Sequence, residues 1–553
     1  MDAATQATRG AQLAGGLMSL GLREGDVLAV LLRNSEVFVD VIHACRQTGI
    51  SFCPINWHFT ADEVSVLLLD SGSKALLAHG DLLDGISHVV PQSVALLSVG
   101  QSRSPTSLPY ETWLSAQPAY DGPLVSPGGH MVYTSGTTGR PKGVVRDRIP
   151  VTEIEARLIR TKQLVELALG ITSGCRALVP APLYHSGPST FLQNSMRLAE
   201  SVVLMSHFDA EQLLALIERH RIDVVYLVPI MYVRLLRLPE AVRKRYDISS
   251  LRFVASTGSP CAPDVKRSMI EWFGPIINET YASSEAGMIT SINSAEALQR
   301  PGSAGRPVLD ARVRILNEAG DPLPTGEVGL IYVRQPVYPD FTYRHNDAAR
   351  RAIERDGLIS LGDMGYLDAD GYLYLCDRAS DMVISGGVNI YPAEIEHRLL
   401  ACPGVADCAI FGIPDPEFGE RLHAVVEPLP GAEPTLVDMQ AWLQAGLAAF
   451  KVPRSFDLAP LPRDDSGKIA KRRLRDQYWI YPHKADGTSL HRINIERLGM
   501  NEEGVKVYEL WWWQNDEPDP SKQKPIRRML SAYDFRVGRG ALLELIDYML
   551  KLK

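Results

Sequence analysis

The sequence is poor in the features that mark several protein classes. It has seven cysteines in 553 residues, at Cys45, Cys53, Cys175, Cys261, Cys376, Cys402 and Cys408, with no Cys-x-x-Cys pair. An odd, scattered set without metal spacing fits reduced thiols in a cytoplasmic protein. No stretch approaches the ~20 apolar residues of a membrane helix; the longest apolar runs, such as Val224–Ile230, contain Pro or are strand-length. Met1 to Ala14 has no apolar core of signal-peptide length, which disfavours secretion. Nor is there a basic excess. The chain carries 57 basic against 65 acidic side chains, a formal charge of −8, so a general nucleic-acid binder is not expected and any anionic ligand must be held by a local site. Internal repeats and low-complexity tracts are absent. What is present, 45% hydrophobic, 22% charged and 7% aromatic residues, is the composition of a soluble globular protein and excludes wholesale disorder. At roughly 150 residues per domain the length implies about three to four structural units.

The first half alternates helix and strand patterns. Ala11–Leu20 reads as an amphipathic helix, Asp26–Leu32 as an apolar strand, and Ser35–Thr48 as a helix opened by an Asn34/Ser35 cap and stopped by Gly49. Phe52–Ile55, a capped helix over Thr60–Asp70 and Lys74–Ala78 continue the rhythm, which returns at Arg176–Pro180, Ala210–His220 and Asp223–Val228. Strands separated by helices imply parallel sheets covered on both faces. From about Gly302 short strands take over, at Ala311–Leu316, Gly326–Val333 and Gly371–Cys376. A compact α/β unit then follows, with a helix over Pro392–Leu400 and strands over Val405–Ile413 and Leu422–Val426. The short polar stretch 377–381 reads as a hinge. Beyond Trp479, Val505–Trp513 reads as a strand and Ala541–Leu552 as a closing helix.

The most informative string is Tyr133-Thr-Ser-Gly-Thr-Thr-Gly-Arg-Pro-Lys-Gly143. Its glycines let backbone approach a ligand closely, its hydroxyls add donors, successive loop N–H groups form an anion-binding concavity, and Lys142 adds a compact positive charge. The order Pro-Lys-Gly is wrong for a Walker loop. Tyr281-Ala-Ser-Ser-Glu285 places an aromatic ring four residues before a carboxylate, a hard oxygen ligand suited to Mg²⁺ beside a phosphate loop. Asp363, in Leu361-Gly-Asp363, is a carboxylate able to accept hydrogen bonds from ribose hydroxyls, although a lone Gly-Asp is usually just a turn. Asp464-Asp-Ser-Gly-Lys468 puts a lysine after a glycine turn.

Together these strings resemble the adenylate-forming superfamily of acyl-CoA synthetases, peptide-synthetase adenylation domains and beetle luciferases, from about Gln12 to Trp479. The resemblance implies an α/β fold: a large N-terminal domain over 1–376, of stacked mixed sheets with helices plus a β-rich subdomain, a hinge over 377–381, and a small mobile α/β domain over 382–479. The tail 480–553 lies beyond it. Thr134, Ser135, Gly136, Thr137, Thr138, Gly139 and Lys142 would bind phosphate. Ser256, Gly258 and Ser259 would form part of the adenine pocket, with Tyr281 stacking on the base. Ser284 would contact phosphate, Glu285 would hold Mg²⁺, and Asp363 and Arg378 would bind ribose. Lys468 would be the mobile catalytic lysine, and His185, in Pro182-Leu-Tyr-His-Ser-Gly187, would lie near the substrate carboxylate. Ser385, Gly386 and Gly387 would admit CoA after a rotation about Ser380, which stands where the family has Asp or Lys. Two further departures are Tyr281-Ala-Ser-Ser-Glu285 for the usual Tyr-Gly-x-Thr-Glu and Leu361-Gly-Asp363 for Thr-Gly-Asp.

The implied activity is ATP- and Mg²⁺-dependent formation of an acyl-adenylate and transfer of its acyl group to CoA, with release of AMP and pyrophosphate. The stretches matching the family's acyl pocket, His185–Phe191, Val228–Tyr232, Ser256–Ser259 and Thr280–Ala282, are apolar or small and lack Lys or Arg. They favour a hydrophobic monocarboxylic acid, fatty, aryl or alicyclic, with the lean toward fatty or bulky alicyclic acids. Expected partners are this acid, ATP and CoA, with a homodimer left open. The alternatives are an enzyme that loads a carrier protein and a non-catalytic nucleotide-binding relative.

Overall fold

The computed structural model describes residues 3–135, 141–317, 319–379, 381–385, 388–415, 418–463, 469, 471–475, 478, 491–500, 506–513 and 526–531. The chain divides into two compact units, Met1–Leu375 and Cys376–Lys553. In the first unit, Val27–Leu31, Ser51–Pro54, Ala75–His79, Ala95–Val99 and Leu108–Pro109 form a five-stranded, wholly parallel sheet. Successive side chains of a strand point to opposite faces. Val27, Ala29 and Leu31 accordingly enter one core and Leu28, Val30 and Leu32 another, which is why this strand reads as a continuous apolar run.

A larger, twelve-stranded sheet carries the parallel strands Arg176–Val179, Ser201–Leu204, Val224–Leu227, Phe253–Ser256 and Ile277–Ser283. It continues antiparallel through Gly287–Ile292 and Ser303–Pro307 into the short-stranded region with Arg312–Leu316, Gly329–Arg334, Leu358–Leu367 and Leu373–Arg378. A separate three-stranded antiparallel sheet joins Tyr133–Ser135, Pro141–Arg146 and Phe341–Tyr343. The second unit has a sheet of Val383–Ser385, Val388–Ile390, Val405–Asp415, Gly419–Pro428 and Ser455–Leu458, with the helix Pro392–Leu400 on it. Its backbone then forms an antiparallel ladder of His491–Met500, Lys506–Trp513 and Ile526–Ser531. The expected strand over Val505–Trp513 is present one residue shorter; the expected helix Ala541–Leu552 lies outside the described residues.

Two local expectations need correction. The first helix runs Ala3–Ser19, not Ala11–Leu20. Its Gly10, Gly15 and Gly16 are contact points: an added Cβ would stand 2.3 Å from His43 Cβ, 2.1 Å from the Pro118 carbonyl oxygen and 2.4 Å from the Trp113 ring. The helix Glu36–Thr48 begins after Ser35, but neither Ser35 nor Asn34 caps it by side chain. Asn34 instead donates to the carbonyls of Ala181 (2.9 Å) and Met205 (3.0 Å) and accepts from Leu183 N–H at 2.9 Å, tying down the segment that leads to His185. The Thr60 cap holds as a full capping box with Glu63, and Gly49 ends its helix with φ +69°. Among the described residues no helix is long and apolar enough to cross a membrane, and all seven cysteines are free.

Candidate active site

The hairpin Tyr133–Ser135 and Pro141–Arg146 sets Thr134 directly opposite Lys142, and Phe341–Tyr343 adds Tyr343 opposite Val144. Cross-strand partners share a face, as do residues two apart along a strand, so Thr134, Lys142, Val144 and Tyr343 lie on one face. The Lys142 ammonium stands 5.0 Å from the Tyr343 ring centroid. Tyr133 donates its hydroxyl to Asp70 (2.6 Å), and a Cβ on Gly143 would meet the Tyr133 ring at 2.9 Å. Gly136, Thr137, Thr138 and Gly139 lie outside the described residues, as does the side chain of Ser135.

Glu285 reaches the same face from the turn between Ile277–Ser283 and Gly287–Ile292. Its buried carboxylate accepts from Thr134 Oγ1 at 3.1 Å and from the Tyr343 hydroxyl at 3.2 Å, both on Oε1. Arg146 donates to the carbonyls of Ser284 (2.7 Å), Glu285 (3.1 Å) and Pro339 (3.0 Å), and its guanidinium lies 4.9 Å from the Tyr338 ring centroid. Burial lowers the Arg146 pKa from its ordinary value, and burial followed by the Glu285 charge pushes the Tyr343 hydroxyl up. Gly287 has φ +75° and leaves space that a Cβ would contest with Tyr338 at 2.2 Å.

The remaining expected nucleotide residues of this unit fall on neighbouring elements. Tyr281 donates to Asp363 Oδ2 at 2.5 Å. Ser284 donates to Ser186 Oγ at 2.8 Å, beside His185, which stands at the N-cap position of the helix Ser186–Leu198 with its ring 4.4 Å from that of Tyr184. Ser256 is buried opposite Glu279 in the parallel ladder, whereas Gly258, with φ +98°, and Ser259 are exposed. Glu279 pairs with Lys266 of the helix Pro263–Phe273 at 3.0 Å, both side chains nearly sealed from solvent. Burial raises the Glu279 pKa and Lys266 opposes that shift.

In the second unit, exposed Arg378 ends its strand and Ser385 pairs with Val388 and Gly419. Asp377 accepts from Ala393 N–H at 3.0 Å, at the start of the helix Pro392–Leu400. Ser380, Gly386, Gly387 and Lys468 lie outside the described residues. The chain on either side of Lys468 is held: Arg463 bridges to Ile469 and pairs with Asp407 (2.7 Å) and Glu427 (3.2 Å), and Lys471 pairs with Glu396 at 2.8 Å.

Asp70, Arg146, Lys266, Glu279 and Tyr343 had no part in the expected site. The available signal was the alternation Lys142, Val144, Arg146 along one strand. Among the described residues no three His, Cys, Asp or Glu side chains converge as a metal cage. One oriented carboxylate on the phosphate-loop face matches Mg²⁺, which usually takes one or two carboxylates together with substrate phosphate oxygens.

Comparison with known proteins accounts for this arrangement. Residues 6–338 match the family model of AMP-binding enzymes, and residues 394–468 match that of the AMP-binding enzyme C-terminal domain. The chain is 34% identical over 479 residues to a feruloyl-CoA synthase of Amycolatopsis sp., covering 85% of this chain and 92% of the relative. It is 31% identical over 497 residues to the fatty acid–[acyl-carrier-protein] ligase ScoC of Streptomyces coeruleorubidus, covering 87% and 91%. The o-succinylbenzoate CoA synthetase (MenE) of Bacillus subtilis, solved with the acyl-adenylate intermediate OSB-AMP, superposes with a TM-score of 0.73 at 28% identity, covering 86% of this chain and 93% of that one. The chain belongs to the AMP-binding enzyme family: it is an adenylate-forming ligase of the acyl-CoA synthetase type.

Proposed function

We propose that the enzyme activates a hydrophobic monocarboxylic acid with ATP and transfers the acyl group to CoA. A carboxylate oxygen attacks the α-phosphorus and pyrophosphate leaves, giving an acyl-adenylate. The CoA sulfur then attacks the acyl carbon, AMP leaves and the thiol proton is released. The observation that carries this reading is the convergence of Thr134, Lys142 and Glu285 on the face of the phosphate-loop hairpin, with Tyr343 touching both charged groups.

Lys142 and the loop 134–139 bind the β- and γ-phosphates, Tyr281 stacks on adenine beside Ser256, Gly258 and Ser259, and Asp363 and Arg378 hold ribose. Ser284 binds phosphate and His185 orients the acid. Glu285 would hold Mg²⁺, which when bound would neutralise charge on the phosphate oxygens. Charge gathers on the α-phosphate as the new bond forms, so Lys468 directed there stabilises the transition state more than the ground state. A thiol near pKa 8.5 is already a competent nucleophile as its minor thiolate fraction, so the second step needs placement of CoA, by Ser385, Gly386 and Gly387 after rotation at Ser380, more than a strong base.

The test is a panel of ferulate, long-chain fatty, alicyclic, dicarboxylic and amino acids with ATP, Mg²⁺ and CoA, following AMP and thioester. Thioester from apolar monocarboxylates supports the reading; preference for a dicarboxylate or an amino acid refutes the substrate class. The similarity to a ligase that charges an acyl-carrier protein favours one second reading, transfer to a carrier. Holo-carrier outcompeting CoA as acceptor would establish it.

A further inference from the structure

Tyr343 occupies a position that neither the phosphate loop nor the Glu285 string explains. Its side chain is buried in one core cluster with Val144, Ile289 and Phe341, the last ring 5.5 Å away and edge-on. From that fixed seat it meets two opposite charges in two ways. The Lys142 ammonium lies 5.0 Å from its ring centroid, within the range of a cation–π contact. The hydroxyl at the other end of the ring donates to Glu285 Oε1 at 3.2 Å. Thr134 donates to that same oxygen, so both of these bonds fall on Oε1. A direct Lys142–Glu285 ion pair would consume both charges. One charge over the ring face and the other at the hydroxyl are each satisfied weakly and stay available.

We infer that Tyr343 is a positioning residue that keeps Lys142 and Glu285 apart and oriented, so that the magnesium–triphosphate of ATP enters between them instead of breaking an ion pair. The inference rests on the reading of Lys142 as a phosphate cation and Glu285 as the metal carboxylate. The ring face governs the lysine, hence nucleotide affinity; the hydroxyl governs the carboxylate, hence metal affinity. Losing a hydrogen bond to a metal-ligating side chain typically weakens metal binding by about 10- to 100-fold, whereas losing one exposed cation–π contact costs about two- to fivefold.

Substitution separates the two. In the full-length protein, without acid or CoA, Mn²⁺ occupancy is read by electron paramagnetic resonance with α,β-methylene-ATP bound, and nucleotide affinity by calorimetry in EDTA. Y343F removes one oxygen and keeps the ring: Mn²⁺ binding weakens roughly tenfold and metal-free nucleotide affinity is unchanged. Y343L weakens both, the nucleotide by about two- to fivefold. E285Q calibrates the metal site. Loss of Mn²⁺ in E285Q with wild-type binding in Y343F overturns the inference and leaves the reading of Glu285 standing. Wild-type Mn²⁺ binding in E285Q overturns that reading and the inference with it. Equal loss of metal and nucleotide in Y343F and Y343L makes Tyr343 a packing residue and also overturns the inference.

Discussion

The buried pair Lys266–Glu279 supplies a stringent stability prediction. The two groups are 3.0 Å apart with side chains 6% and 9% exposed, so water does not rescue either if the other is lost. At an effective dielectric of ~20 their gross attraction is about 5 kcal/mol, and the desolvation of each ion costs several kcal/mol. The pair is therefore close to break-even as a whole and costly to break: removing one partner typically destabilises by about 3–5 kcal/mol. Glu279→Gln, which strands the ammonium, should lower stability by that amount in urea unfolding followed by tryptophan fluorescence. The double variant Lys266→Met/Glu279→Leu should recover most of it. The pH response of Lys266→Met gives the sign. Burial already raises the Glu279 pKa and Lys266 opposes that shift, so without the lysine the carboxyl rises further. A carboxyl whose folded pKa lies above its unfolded value of about 4.3 binds the proton more tightly when folded. Its stabilising protonation is complete at low pH and is lost as pH rises through the folded pKa, so this variant should be more stable at pH 5 than at pH 7. A Glu279→Gln cost below about 1 kcal/mol, or a double variant as unstable as the summed singles, would refute the reasoning.

Three other outcomes are expected. Lys468→Ala should cut acid-dependent pyrophosphate release by about 10²–10³ while CoA transfer from supplied acyl-adenylate is largely retained; equal loss in both half-reactions removes Lys468 from the adenylation step. His130 Nδ1 accepts from the Gln193 amide N–H and lies within hydrogen-bond distance of the Ser189 hydroxyl, both at 3.0 Å, and burial lowers its pKa to about 4. The unfolded chain then binds the extra proton between about pH 6.5 and 4, so up to about 3 kcal/mol of stability is lost as pH falls through that window, and His130→Asn should flatten the slope of urea midpoint against pH. Gly143→Ala should displace the Tyr133 ring, which the added Cβ would meet at 2.9 Å, disturb the Tyr133–Asp70 bond and raise KM for ATP more than it lowers kcat; an unchanged KM would show that the hairpin does not depend on that spacing.

The alternating elements of the first half were legible because burial on two faces writes itself into a strand as an unbroken apolar run and into a helix as a stripe. The exceptions have one cause. Gly10, Gly15 and Gly16 look like helix breakers to local propensity, and Ser35 looks like a cap. Glycine there lets His43, Trp113 and the Pro118 backbone approach, and Asn34 bonds to a segment 147 to 171 residues away. The site divides the same way. Thr134, Lys142, Tyr281 and Glu285 are visible because a glycine- and hydroxyl-rich loop, or a turn that presents a carboxylate, is built from consecutive residues. Arg146, Asp70 and Tyr343 are not, since their partners Ser284, Tyr133 and Glu285 lie 138, 63 and 58 residues away and nothing local distinguishes a supporting arginine or tyrosine from a surface one. The residues of the recognisable strings are grouped in sequence; those that contact them in the structure are joined only by strand register. The register Thr134↔Lys142 and Val144↔Tyr343 is what turns three separate strings into one face, so a one-residue slip of Phe341–Tyr343 would send the Tyr343 ring to the opposite face of that sheet and strip Glu285 of a donor without altering any residue of the recognisable motifs.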